Sequence, residues 1–150
     1  MVLLCDLGGL CVKLLYWNYI IRKSPVTENE LSKVIVDCAF KVHNTLGPGL
    51  LETVYRAALA YELASRGLKV SVERGIPAVY EDIKLELGFR ADIIVENKVI
   101  VETKSIEALA PIHGKVLLTY LRLADIRLGL LINFNVELIK NGIRRVVNNL

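Results

Sequence analysis

The chain has 150 residues, 53% hydrophobic and 23% charged, with 10 Gly, 4 Pro and a formal net charge of +3. These values suit one domain with a real core, and they exclude a disordered tail, a collagen-like repeat and a low-complexity chain. Three cysteines, none in a C-x-x-C pair, suggest neither a disulfide framework nor a zinc knuckle and point to a reduced, cytoplasmic chain.

Residues 1–25 are apolar without clear periodicity and end in Arg22-Lys23-Ser24-Pro25. They read as an appendage, either an added structural element or translation upstream of a start near Val26. The mean hydropathy of +0.43 raises the question of a membrane. A spanning helix needs about 20 predominantly apolar residues. The best stretch, Leu7 to Ile21, is interrupted by Lys13 and preceded by Asp6, so no span is expected. The pI of 8.8 permits contact with nucleic acid without demanding it, because the basic residues are dispersed and not ranged along one face.

From Val26 the pattern becomes regular, and residues 26–150 read as one domain. Thr27 followed by Glu30 is a capping-box signature. Leu31, Val34, Ile35, Cys38, Ala39, Val42 and Leu46 follow at helical spacing, and Gly47-Pro48-Gly49 stops that helix. A second helix is predicted over about 50–66, with Leu51, Val54, Ala58 and Tyr61 spaced for burial and Leu63 alongside. Strands are predicted over 68–73, 77–80, 83–87, 89–95 and 99–105. A third helix starts near Pro111 and reaches about Ala124. Residues 129–134 form an apolar run fit for a buried strand. Residues 136–140 and 143–147 read as a hairpin across Asn141-Gly142. This order predicts an α/β domain with a mixed central sheet flanked by helices.

The sharpest chemical feature lies in residues 90–104. If two strands pair across a three-residue turn centred on Asn97, Asp92 faces Glu102, and Lys104 points to the same face. Two carboxylates that close repel unless a cation sits between them. Mg²⁺ suits the position, because it takes a few carboxylate oxygens and keeps several waters. A lysine beside the metal can orient or deprotonate an attacking water, and the metal polarises a phosphoryl oxygen. Arg90 falls opposite Lys104 in this register, placed to bind phosphate or to neutralise nearby acids. An ordinary surface strand with alternating charges is the competing reading, and a two-residue turn would break the constellation.

The order Asp-x(9)-Glu-x-Lys on a hairpin, preceded by helices and followed by a helix and a buried strand, resembles the PD-(D/E)XK nuclease superfamily. Gly49-Leu50-Leu51-Glu52-Thr53-Val54-Tyr55 reads as G-x-x-E-x-x-Y. Together with Leu46-Gly47-Pro48-Gly49, Gly88-Phe89-Arg90-Ala91-Asp92 and Gly129-Leu130-Leu131-Ile132-Asn133-Phe134, it resembles the GxxExxY protein family from about residue 28 onward. The resemblance implies a restriction-endonuclease-like core. It also implies a metal, Mg²⁺ or Mn²⁺, held by Glu52, Asp92 and Glu102, with Asp92, Glu102 and Lys104 as the catalytic set. Tyr55, one turn beyond Glu52, and Tyr120 on the third helix join Arg90 as candidates for supporting the site or binding phosphate; packing is the competing reading for Tyr55. The chain departs from the superfamily pattern at Ala91, where the name has Pro, and at Val116, where a Gln is common. Two functions stay open: an Mg²⁺-dependent phosphodiesterase acting on nucleic acid, or a weak or inactive nuclease-fold module that binds nucleic acid or a protein partner. A homo-oligomer that hides exposed apolar area is a third reading.

Overall fold

The first helix starts where Thr27 predicts. Its hydroxyl accepts the Glu30 amide at 3.3 Å, while the Glu30 carboxylate accepts the Thr27 amide at 2.8 Å, satisfying two helix-end donors reciprocally. In the computed structural model, which describes residues 26–150, this helix is α1 (Glu28–Leu46). The expected appendage over 1–25, and with it the Leu7 to Ile21 stretch, lies outside the described residues. α1 buries Leu31, Val34, Ile35, Cys38, Ala39 and Val42 as their spacing predicts. It stops at Gly47, whose φ of 71° favours a residue without a Cβ.

The second helix, α2 (Glu52–Ser65), buries Tyr55, Leu59 and Leu63, and not the predicted stripe of Leu51, Val54, Ala58 and Tyr61. Both stripes repeat every three or four residues, so periodicity alone could not choose between them. Packing chooses: the Tyr55 ring stacks on Phe134 with centroids 4.6 Å apart, and Leu51 and Tyr61 are left exposed.

Five strands follow: β1 (Val70–Tyr80), β2 (Ile83–Val95), β3 (Val99–Lys104), β4 (Leu128–Asn133) and β5 (Ile143–Val147). Their spatial order matches their chain order. All neighbours are antiparallel except β3 and β4, which run parallel. The parallel pair needs a crossover, supplied by α3 (Pro111–Ala124), which opens with Pro at its first position. The four short strands predicted before Val95 merge into two long ones. An irregularity between Ile76 and Ala78 keeps them paired, and Gly88 makes it possible, since a Cβ there would collide with the Ala78 backbone.

The sheet carries a layer on each face. Ile93, Val95, Val99, Val101, Leu128, Leu130 and Ile132 pack with the α1 and α2 stripes. Ile94, Ile100 and Leu131 pack with Leu117 and Leu121 of α3. The mixed sheet flanked by helices is the architecture the sequence predicts.

The predicted hairpin over 136–147 is not formed. β5 pairs with β4, and residues 139–142 make one helical turn, α4 (Ile139–Gly142). Ile139 is buried, and the Val136 carbonyl meets His43 Nε2 at 2.8 Å, so this segment is anchored to the α1 side and not to a partner strand. Gly142 abuts the Asn133 carbonyl so closely that no side chain fits. Among the described residues no helix is long and apolar enough to cross a membrane.

Candidate active site

The site arises where β2 and β3 part. Their ladder has the predicted register, Val95–Val99, Ile94–Ile100 and Ile93–Val101, across the turn Glu96-Asn97-Lys98. It ends one step short of Asp92 and Glu102. Inside–outside alternation on β2 slips at the same point: Phe89 and Ala91 pack on the α3 side with Ile94, whereas Ile93 packs on the other. Beyond the ladder, backbone donors lose their strand partners and must find others. Side chains provide them. Thr103 donates its amide (2.9 Å) and its hydroxyl (2.8 Å) to Asp92 Oδ2, and the Asp92 amide makes a long 3.4 Å bond to Glu102 Oε1.

Lys104 closes the group. Its Nζ lies 3.7 Å from Glu102 Oε2 and 3.8 Å from Glu52 Oε1, and it donates to the Thr103 carbonyl at 3.1 Å. Glu52 is the first residue of α2, where the free amides of the helix start favour a carboxylate. The loop before it is fixed. Tyr55 donates its hydroxyl to the Gly47 carbonyl at 2.6 Å and accepts the Leu50 amide at 3.0 Å, and Ser105 donates to the Leu50 carbonyl at 2.6 Å. Asn133 holds the segment after β3, bonding both the amide and the carbonyl of Ile106.

The charges are unequally matched. Glu102 is only 8% exposed. Burial first, and the neighbouring Asp92 charge second, push its carboxyl up to about 7, against the pull of Lys104. Arg56 reaches Asp92 Oδ1 with Nη1 at 3.1 Å and Glu73 Oε1 with Nη2 at 3.2 Å. Burial, and then the Glu102 charge, also raise the Tyr120 phenol.

Beside Glu102 and Lys104 lies a cavity of about 80 Å³, walled from α3 by His113, Val116 and Tyr120. It has room for a few water molecules. His113 Nδ1 accepts the Ala110 amide at 3.0 Å and caps α3, which leaves Nε2 as the ring's donor. The Tyr120 ring stacks on Phe89, centroids 3.8 Å apart.

The structure therefore gathers Glu52 and Glu102 around the Lys104 ammonium, with Asp92 adjacent through Glu102 and Thr103. One residue departs from the expectation, and another keeps only half of it. Tyr55 is fully buried and spends its hydroxyl on the loop before Glu52, so of its two expected roles it has the supporting one and not contact with a phosphate. Arg90 pairs with Gly75 of β1 and does not face Lys104, because the β2–β3 ladder ends before reaching them. Sequence reasoning missed Arg56 and Thr103. Arg56 stands four residues after Glu52, on the same helix face, and Thr103 lies between the two residues of the E-x-K pair. The Thr103 position was a legible signal, whereas the role of Arg56 rests on Asp92, 36 residues away. Among the described residues no three His, Cys, Asp or Glu side chains gather closely enough to enclose a metal ion. The Lys104 ammonium stands between two of the acids, and Arg56 and Thr103 engage both oxygens of the third.

A helix-flanked mixed sheet with acids and a lysine at the mouth of two diverging strands defines a restriction-endonuclease-like domain. Comparison with family models agrees: residues 29–146 match the PD-(D/E)XK nuclease superfamily, and the chain belongs to it. No curated protein gives a significant match, and no solved structure does.

Proposed function

We propose that this chain is a divalent-metal-dependent phosphodiesterase acting on nucleic acid, of the GxxExxY type. The observation that carries the reading is a buried carboxylate, Glu102, next to Asp92 and 3.7 Å from the Lys104 ammonium. The donor chemistry supports the reading: Glu52, Asp92 and Glu102 offer only hard carboxylate oxygens, which suit Mg²⁺ or Mn²⁺, and they would hold an ion beside or in exchange for their present contacts with Lys104 and Arg56. Burial first, and the Asp92 charge second, raise the Glu102 carboxyl, and a cation beside it would favour its ionised form. When bound, such an ion polarises a phosphoryl oxygen and lowers the pKa of a coordinated water. Lys104 holds or takes the proton of an attacking water beside Glu102. Arg56 restrains Asp92 through Oδ1 and would share that oxygen with a bound ion. Tyr120 borders the cavity beside Glu102 and Lys104, where its hydroxyl would help to orient a bound water or phosphate.

A specific observation favours a second reading, a binding module without turnover. Val116 places an apolar wall beside Lys104, and Arg56 already partners Asp92.

The test is a thermal-stability titration with Mg²⁺ and Mn²⁺ of the wild type beside Asp92→Ala, run alongside cleavage of single- and double-stranded DNA and RNA. Metal-dependent stabilisation lost in Asp92→Ala, with cleavage lost in Glu102→Ala and Lys104→Ala, is the expected result. Stabilisation by metal without cleavage of any nucleic acid selects the binding module.

A further inference from the structure

Arg144 and Arg145 are neighbours on β5 and so lie on opposite faces of the sheet. Arg145 is on the α1 side, where it donates to Asn29 Oδ1 at 2.7 Å. Arg144 is on the α3 side, and two observations fix it there. Val146, two residues on, packs with the cluster beneath α3. Arg144 itself pairs with Leu131, a member of that cluster, and Leu131 pairs in turn with Glu102. Glu102, Leu131 and Arg144 therefore form one row across three strands, with the arginine two strand spacings, about 10 Å, from the acid.

Leu131 also lines the cavity beside Glu102, Lys104 and His113, and one peptide group ties Arg144 to that cavity's wall. The Leu109 carbonyl accepts a long 3.5 Å bond from Arg144 Nη2, and the Ala110 amide of the same peptide donates to His113 Nδ1 at 3.0 Å. These two nitrogens are thus at most about 9 Å apart. Arg144 is exposed, and among the described residues it makes no other hydrogen bond and no ion pair. Most of its five donors are free, in a planar fork that matches a phosphate. The site itself attracts a polyanion poorly. Its carboxylates repel phosphates, and Lys104 and Arg56 already face those carboxylates. Attraction for a nucleic-acid strand has to come from beside the acids. Consecutive phosphates of a strand are closer together than this row is long, so a strand with one phosphate at Lys104 sets another before Arg144.

We propose, resting on the function proposed for this site, that Arg144 binds a phosphate flanking the one at Lys104, so that the ligand is a nucleic-acid strand and not an isolated phosphodiester. Anisotropy of short fluorescein-labelled DNA and RNA oligonucleotides over a salt series tests it, in chelator and in Ca²⁺, with far-UV circular dichroism to confirm folding. Arg144→Gln weakens binding of different sequences alike and flattens the slope of log K against log salt by about 1, the loss of one phosphate contact. Arg144→Lys keeps the slope. In cleavage, the penalty of Arg144→Gln falls chiefly on KM for an oligonucleotide, and it is much smaller for bis(p-nitrophenyl) phosphate, which has no flanking phosphate. An unchanged slope in folded Arg144→Gln, equal losses on both substrates, or a wild type that binds no oligonucleotide overturns the proposal. The first of these outcomes leaves Arg144 as an edge-strand charge that discourages strand pairing. A wild type that cleaves nothing, yet binds with a salt slope that Arg144→Gln flattens, upholds the phosphate contact and overturns the phosphodiesterase reading instead.

Discussion

The two halves of β2 obey the same rules of pleat and pairing and meet opposite fates. From Phe89 to Val95 the strand is central, covered on both faces, and carries Asp92 at the point where its neighbour turns away. From Ile83 to Gly88 it is half of an exposed arm. Ile83, Leu85 and Leu87 are as apolar as Ile93 and Ile94, so the presence of aliphatic side chains does not separate the halves. Coverage does: α1, α2 and α3 meet the proximal half, and no helix among the described residues reaches the distal one. The lesson is that a hydrophobic strand in the sequence specifies an element, whereas its burial is decided by what the rest of the chain brings to it.

The strongest way to sharpen this contrast is at the proximal acids. If the divergence of β2 and β3 builds a reactive site, Lys104→Ala lowers the rate of metal-dependent cleavage by about 10²–10⁴-fold, the usual contribution of a positioned proton-transfer group. The rate is read under single-turnover conditions. Retention of full activity breaks the assignment.

Next comes packing. Ile94→Ala, in the covered half, is expected to cost about 2–5 kcal/mol in chemical denaturation. Tyr55→Phe removes the hydroxyl that joins the Gly47 carbonyl to the Leu50 amide and costs about 1–2 kcal/mol. It lowers cleavage as well, since Glu52 follows that loop directly.

A pH dependence belongs to the proximal half alone. The folded chain holds the Glu102 carboxyl at about 7, above its ordinary value of 4.5. Folding therefore favours the protonated form. The associated stability is complete below pH 4.5 and is lost as pH rises through 7. Melting in chelator across that window should show the wild type falling relative to Glu102→Gln, and a flat difference between the two would contradict the buried position. The smallest effect is expected on the arm: Val79→Ala, at a side chain 66% exposed, changes monomer stability by less than about 0.5 kcal/mol.

Much of this was legible in the sequence, for reasons that differ by residue. Thr27 and Glu30 announce a helix start because capping is local chemistry. The register that brings Glu102 and Lys104 beside Asp92 follows from a turn of fixed length. The stripe on α2 was misread because Leu51 and Val54 are apolar as Leu59 and Leu63 are, and a long-range contact, Tyr55 on Phe134, decides between the two faces. The false hairpin over 136–147 arose because Asn-Gly favours a tight turn, whereas β5 finds a better partner in β4. Arg56 escaped notice because its meaning depends on Asp92, 36 residues away.

The close approach of Gly142 to the Asn133 carbonyl has a consequence that reaches the acids. Asn133 bonds Ile106 just past Lys104, so a methyl group added at position 142 would push on the scaffold behind the site without touching any charged residue. A single-nucleotide change in that codon would therefore silence the protein from beside the edge strand, through Asn133, the β4 partner of Lys104. In a screen for loss of function it would surface as a hit with no chemistry of its own.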